Sequence, residues 1–243
     1  VREQVFLVCR DKCLCSFYVL FYQVKELKIY SYVVRDDRGL APNPFWDHCT
    51  LALDQELIRK IAKVGDWVVG LKEKSNKLED YYLLFAMQIT EKITFEDYWT
   101  NPRFQLKRPD YSVDEEIFRM GDNIYELGLD GEFIQQYSAH SRDNYESDEE
   151  WEKQKREDLH GEFVLVSDRK FYHYFGREPV KIPSKELVDI LYCDIGHKCI
   201  ADPKVPQEFL DFIEELNKQD KIGFVNPPEI WPKDDETYVQ CWD

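Results

Sequence analysis

Residues 35–46, RDDRGLAPNPFW, cannot belong to regular structure, because two prolines, a glycine and an asparagine fall within twelve positions. Pro42 and Pro44 fix the backbone on either side of Asn43. The chain is therefore required to build its elements on both sides of a braced loop that ends in two aromatic rings. Such a loop can serve in two ways. It can offer the Asn43 amide to a base edge and Phe45 or Trp46 to a base face, the combination that reads nucleobases outside a duplex. It can equally place Phe45 and Trp46 in the core. Both readings stay open from the residues alone.

Around this loop the pattern alternates between strand and helix. Leu27–Val34 alternates apolar and polar residues and predicts a strand. Residues 54–63 predict a short helix capped by Asp54, with Leu57, Ile58 and Ile61 on one face. Lys63-Val-Gly-Asp66 predicts a turn into a strand at 67–70, the charged text of 72–80 a hairpin connection, 81–90 a strand and 94–99 a helix. Residues 103–109 form a local basic patch, and 142–158 a solvated charged loop or helix. Residues 163–167 and 170–175 read as a strand pair around Asp168 and Arg169. Phe209, Phe212, Ile213 and Leu216 recur at helical spacing behind Pro206 and predict a helix over 206–219. Short strands with flanking helices indicate an α+β fold. With no repeat and no Pro/Gly/Ser linker, a single domain is expected over 27–183, with 184–243 as a helix and a Pro/Trp-rich tail packed on it.

Residues 1–26 are apolar and aromatic, but Arg10, Asp11 and Lys12 interrupt them, and no run reaches the ~20 apolar residues of a membrane span. They are expected to be an extension, poorly ordered or foreign to the native protein. The seven cysteines are irregularly spaced, which predicts reduced thiols and a cytoplasmic location. The one loose metal-ligand grouping is Cys193, His197 and Cys199, and it lacks a fourth ligand. No cofactor is expected.

Charge bears on partners. The chain carries 48 Asp and Glu against 32 Lys and Arg, net −16, which excludes an extended phosphate footprint. Residues 1–70 hold ten Lys and Arg against nine Asp and Glu, leaving 22 against 39 for the rest. A small pocket in the near-neutral first third remains compatible with one extruded base or nucleotide, and the acidic remainder with a basic protein partner. Motifs for nucleophilic, metal or phosphate-loop chemistry are lacking. The best acid–base candidate is His140 within Ser138-Ala-His-Ser141, with Asp66 or Asp168 as the partner carboxylate.

Taken together, Lys28–Val34, Gly39-x-Ala-Pro-Asn-Pro-Phe45, Cys49-Thr-Leu-Ala52, Lys63–Gly70, Ala86-Met-x-Ile-Thr-Glu91, Gly121-Asp-Asn-Ile-Tyr125, Ser138-x-His-Ser141 and Tyr174-Phe-Gly176 resemble the second nucleotide-modification-associated domain family. That family is associated with DNA base-modification systems of phages and bacteria, and the resemblance implies a nucleotide or modified-base setting. The layout around the Lys-x-Gly-Asp turn is similar to the PUA, ASCH and EVE pseudo-barrels, which implies a mixed β pseudo-barrel with flanking helices. The function expected from both is a non-catalytic reader of a modified base or nucleotide, with an enzyme using His140, or an acidic interaction module, as alternatives. The expected binding set is Arg35, Asn43, Phe45, Trp46, Lys63, Trp67, Asn123, Tyr125 and His140.

Overall fold

The computed structural model describes residues 27–73, 81–193, 196–201 and 206–231. The expectations for residues 1–26, for the hairpin tip and for the last twelve residues lie outside these. Among the described residues, two sheets, a two-stranded hairpin and six α-helices make an α+β fold, as the strand–helix alternation requires. The larger sheet runs β11(His197–Ala201), β1(Lys28–Val33), β3(Trp67–Glu73), β4(Tyr81–Gln88), β9(Tyr172–Tyr174), β12(Gly223–Phe224), with β10(Val180–Lys181) also on β4. This path is open and has two ends. A smaller sheet runs β2(His48–Leu51), β8(Phe163–Asp168), β5(Glu91–Thr94), and β6(Tyr125–Leu127) pairs with β7(Phe133–Gln135) as a hairpin.

Period-two patterning explains the layering. Ile29 on β1 and Trp67, Val69 and Leu71 on β3 face α5(Lys185–Leu191) and α6(Gln207–Lys218), joining Leu187, Leu191, Phe209 and Ile213 in one apolar cluster. Tyr30, Tyr32 and Val68 point the other way, onto Cys49, Leu51 and Leu165 of the smaller sheet. The far side of that sheet, through Val164 and Val166, packs on Phe95 and Tyr98 of α2(Phe95–Thr100) and on Tyr125. A bulge opposite Gly70/Leu71 shifts the β4 register, so Leu83 and Ala86 join the helix side while Leu84, Phe85 and Met87 join the sheet–sheet side. Gly70 is required there, since a Cβ would lie 2.0 Å from the Phe85 ring.

The structure corrects three expectations. Residues 163–168 and 172–174 are strands, but they do not pair: a 3-10 turn at Arg169–Phe171 carries the chain from the smaller sheet to the larger. The helix α1(Glu56–Ile61) buries Ile58 and Arg59 and leaves Leu57 and Ile61 each 48% exposed. Asp54 does not cap it, because its backbone and side chain are committed elsewhere (below). The basic patch at 103–109 is dispersed: Arg103 forks onto Glu91 at 2.8 Å and Lys107 is fully buried. Among the described residues no helix is long and apolar enough to cross a membrane.

Candidate active site

The first wall of the site is the proline loop. Asn43 exchanges backbone hydrogen bonds with Thr50 (2.7 and 2.8 Å), and its side-chain amide donates to Gly39 O and Met120 O. Lys107 Nζ donates to Asn43 O at 3.0 Å and to Asn43 Oδ1 at 2.6 Å. Burial pushes Lys107 down to about 8 and the nearby Asp122 up to about 6. Phe45 is completely buried, stacked on Trp231 (5.1 Å) and edge-on to Phe224 (5.4 Å). The proline loop therefore turns its conspicuous side chains inward, and its segment Asp36–Ala41 outward to a cavity.

The second wall is the turn between β2 and α1. Asp54 and Gln55 have φ of 52° and 40°, two successive left-handed residues where a Cβ makes that conformation costly. Their neighbours hold them there. Asp54 N donates to Asp158 Oδ1 (2.9 Å), and Arg59 Nε donates to Asp54 O (2.7 Å). The buried Arg59 guanidinium also donates to the carbonyls of Glu157, Asp158 and Phe163. It thus fastens α1 to α4(Asp148–His160) and β8, and Gly161 is needed beside it: a Cβ would sit 2.3 Å from Arg59 Cζ.

At the back lies Asp158, fully buried on α4. It accepts from His140 Nδ1 (2.8 Å), Tyr125 OH (3.0 Å), Asp54 N (2.9 Å) and Gln154 Nε2 (3.2 Å). Four donors around one carboxylate leave it no role but acceptor, so His140 carries its proton on Nδ1 and turns Nε2 away from Asp158. Nε2 has no hydrogen-bond partner among the described residues, and His140, only 8% exposed, lines the cavity. Burial alone would push His140 down; the hydrogen bond and charge of Asp158, with the charge of Asp54, reverse this and leave it raised. Asp54 accepts Gln154 Nε2 on Oδ1 (2.9 Å). Its Oδ2 is unbonded among the described residues, and burial holds its carboxyl above the ordinary range.

Two adjoining cavities meet at Asp36, Ala41 and Asp54. The smaller, about 160 Å³, holds Asp37, Arg38 and His140; the larger, about 550 Å³, runs outward past Tyr32, Arg35, Leu57, Glu157 and His197. The larger volume lies within the usual range for small-molecule sites. A histidine fixed by one buried carboxylate and standing near a second can exchange a proton through Nε2 or hydrogen-bond a polar edge.

Of the residues nominated from sequence, the structure brings Arg35, His140 and His197 to these cavities, with Tyr125 behind His140 through Asp158. The others stand elsewhere. Asn123 donates to Tyr98 O and Phe104 O, and Trp46 packs on Phe118. Asp66 accepts from the backbone of Lys63 and Lys28, and Trp67 meets Phe209 edge-on at 5.5 Å. Lys63 is exposed at that turn. Asp168 stands 3.6 Å from His48. Cys199 and His197 lie on β11, and no group of three or more His, Cys, Asp or Glu among the described residues is arranged to hold a metal. Sequence reading missed Asp54, Arg59 and Asp158. Asp54 reads as a cap and Asp158 as one more charge in a solvated run, and only their meeting from positions 104 apart marks them.

A family model described as nucleotide modification associated domain 2 matches residues 26–234. No curated protein and no solved structure matches the chain.

Proposed function

The chain belongs to the nucleotide modification associated domain 2 family, and from that premise we propose that it binds a nucleobase unit in the cavity between the Asp36–Ala41 segment, Asp54 and His140. The observation that carries this reading is the pair of unsatisfied polar atoms, His140 Nε2 and Asp54 Oδ2, at a cavity of suitable size. Polar atoms that the protein leaves free at a concave surface suit a ligand with a polar edge. Tyr32 and Leu57 supply apolar wall, and Arg35 stands at the outer end. Asn43 and Phe45 serve this reading as the frame of the loop. Calorimetric titration with nucleobases, nucleosides and nucleotides tests it: at least one should bind, and His140→Gln should weaken it about tenfold or more, equivalent to ~1.4 kcal/mol. Absence of binding across the whole set would overturn the reading.

A second reading, acid–base turnover on the bound base, is favoured by the His140–Asp158 geometry, which fixes one ring nitrogen and leaves the other to exchange protons.

A further inference from the structure

Two arginines of the cavity wall are not spent within the protein. Arg35 lines the larger cavity and Arg38 the smaller, both exposed, with Asp36 between them in the chain. Neither guanidinium has a hydrogen-bonding or ion-pairing partner among the described residues. Arg103, Arg119, Arg142 and Arg169, by contrast, each hold a carboxylate, on Glu91, Asp114, Asp148 and Asp47 in turn. The backbone beneath the free pair is fixed. Lys72 Nζ donates to Arg35 O (2.9 Å), Ile230 N to Asp37 O (3.2 Å) and Trp231 Nε1 to Arg38 O (2.9 Å). The strip is thus ordered in advance while its two cationic groups stay open, which lowers the cost of gripping a ligand.

The carboxylates of the same lining are mostly taken. Asp37 accepts from Tyr174 OH, Gly39 N and Glu229 N, Glu56 faces His160 at 2.9 Å, and Glu157 lies 3.5 Å from Lys153. Asp54 gives one oxygen to Gln154, keeps the other for the base edge in the reading above, and is pushed by burial toward its neutral form. Asp36 is the carboxylate left free beside the two guanidinium groups. It weakens their pull on an anion but, as one charge against two, does not cancel it. A guanidinium fork matches the paired oxygens of a phosphate, which a bare nucleoside lacks. His140 Nε2, nearly buried in the same enclosure, independently marks a place for a polar ligand edge. Among the described residues no further lysine or arginine lines the two cavities, so their basic capacity suits one nucleotide and not a strand.

We propose that the ligand is a single nucleotide held at both ends, its base by His140 and Asp54 and its phosphate by the guanidinium groups of Arg35 and Arg38. This rests on the nucleobase reading above and names its substrate class.

The test is calorimetric titration of the full chain with the common deoxynucleosides, their 5′-monophosphates, inorganic phosphate and single-stranded oligomers of the same bases, at low and at high salt. At least one monophosphate should bind about tenfold or more tighter than its own nucleoside, equivalent to ~1.4 kcal/mol. That advantage should shrink at high salt, since both arginines are exposed. Arg35→Gln and Arg38→Gln, at exposed positions the fold does not use, should each remove most of the advantage and leave nucleoside affinity unchanged. His140→Gln should weaken nucleoside and monophosphate by the same factor. A nucleoside binding as tightly as its monophosphate overturns the inference while leaving the nucleobase reading intact. A preference for the monophosphate that survives in the Arg35→Gln/Arg38→Gln double variant does the same, and so does an oligomer that binds tighter than the mononucleotide. Inorganic phosphate binding as tightly as the monophosphates, or absence of binding by every compound, overturns both.

Discussion

His140 shows how one residue's surroundings decide its chemistry. On an exposed loop it would titrate near ~6.5; here burial opposes its charge, and Asp158 and Asp54 restore it with a surplus. The sign of the consequence follows from linkage. A histidine whose folded value is raised contributes stability that is complete below its ordinary value and is lost as the pH rises through the raised one. Denaturant unfolding followed from mildly acidic to mildly alkaline pH should show this loss in the wild type. In His140→Gln that component should be gone. An unchanged pH dependence in the variant would show that the dyad does not contribute to stability. Asp54 moves in the same sense, since its carboxyl is also raised, chiefly by burial; its contribution is complete below the ordinary carboxylate value and is lost as the pH rises through the raised one.

At the scale of elements, the proline loop is held by a side chain from a 3-10 segment far away in sequence, Lys107 of Pro102–Lys107. Lys107→Met would take the charged donor from Asn43 O and Oδ1, leaving the first to Thr50 and the second to Phe45 N, and hydrogen bonds to charged groups are worth ~1.5–3 kcal/mol. The expected result is that loss in denaturant titration together with faster amide exchange at Asn43 and Phe45; unchanged exchange would mean the loop stands without the lysine. Alternation made β1 legible in the sequence and the Phe209–Leu216 spacing made α6 legible, because both patterns register burial on one face, while β3 was announced by the glycine turn before it. The small helix α1 was legible only as a helix. Its buried face is set by Arg59 reaching four carbonyls, which hydropathy cannot register. The partner change between β8 and β9 escaped for a related reason: each is apolar enough for a strand, and which sheet receives it depends on long-range packing. His140 was legible as chemistry, whereas its two carboxylates come from a turn and a helix that only the fold brings together.

Across the whole molecule, the late residues act on the early loop. Glu229 N and Ile230 N donate to the side chain and carbonyl of Asp37, Trp231 Nε1 donates to Arg38 O (2.9 Å), and the Trp231 ring stacks on Phe45. Trp231→Ala should cost ~3–5 kcal/mol, as for other large aromatic truncations in cores. It should also weaken ligand binding, read by the same calorimetry, because the strip it holds walls the cavity. Binding at wild-type strength in a destabilised Trp231→Ala protein would uncouple the two. The same tether bears on the order of events during synthesis. A ribosome delivers Asp37 and Phe45 early and Trp231 almost two hundred residues later, so a nascent chain can pair the smaller sheet and the larger one up to β11 while this wall still lacks its backing. The binding compartment should mature last, and a stalled or truncated translation product should be folded yet unable to hold a ligand.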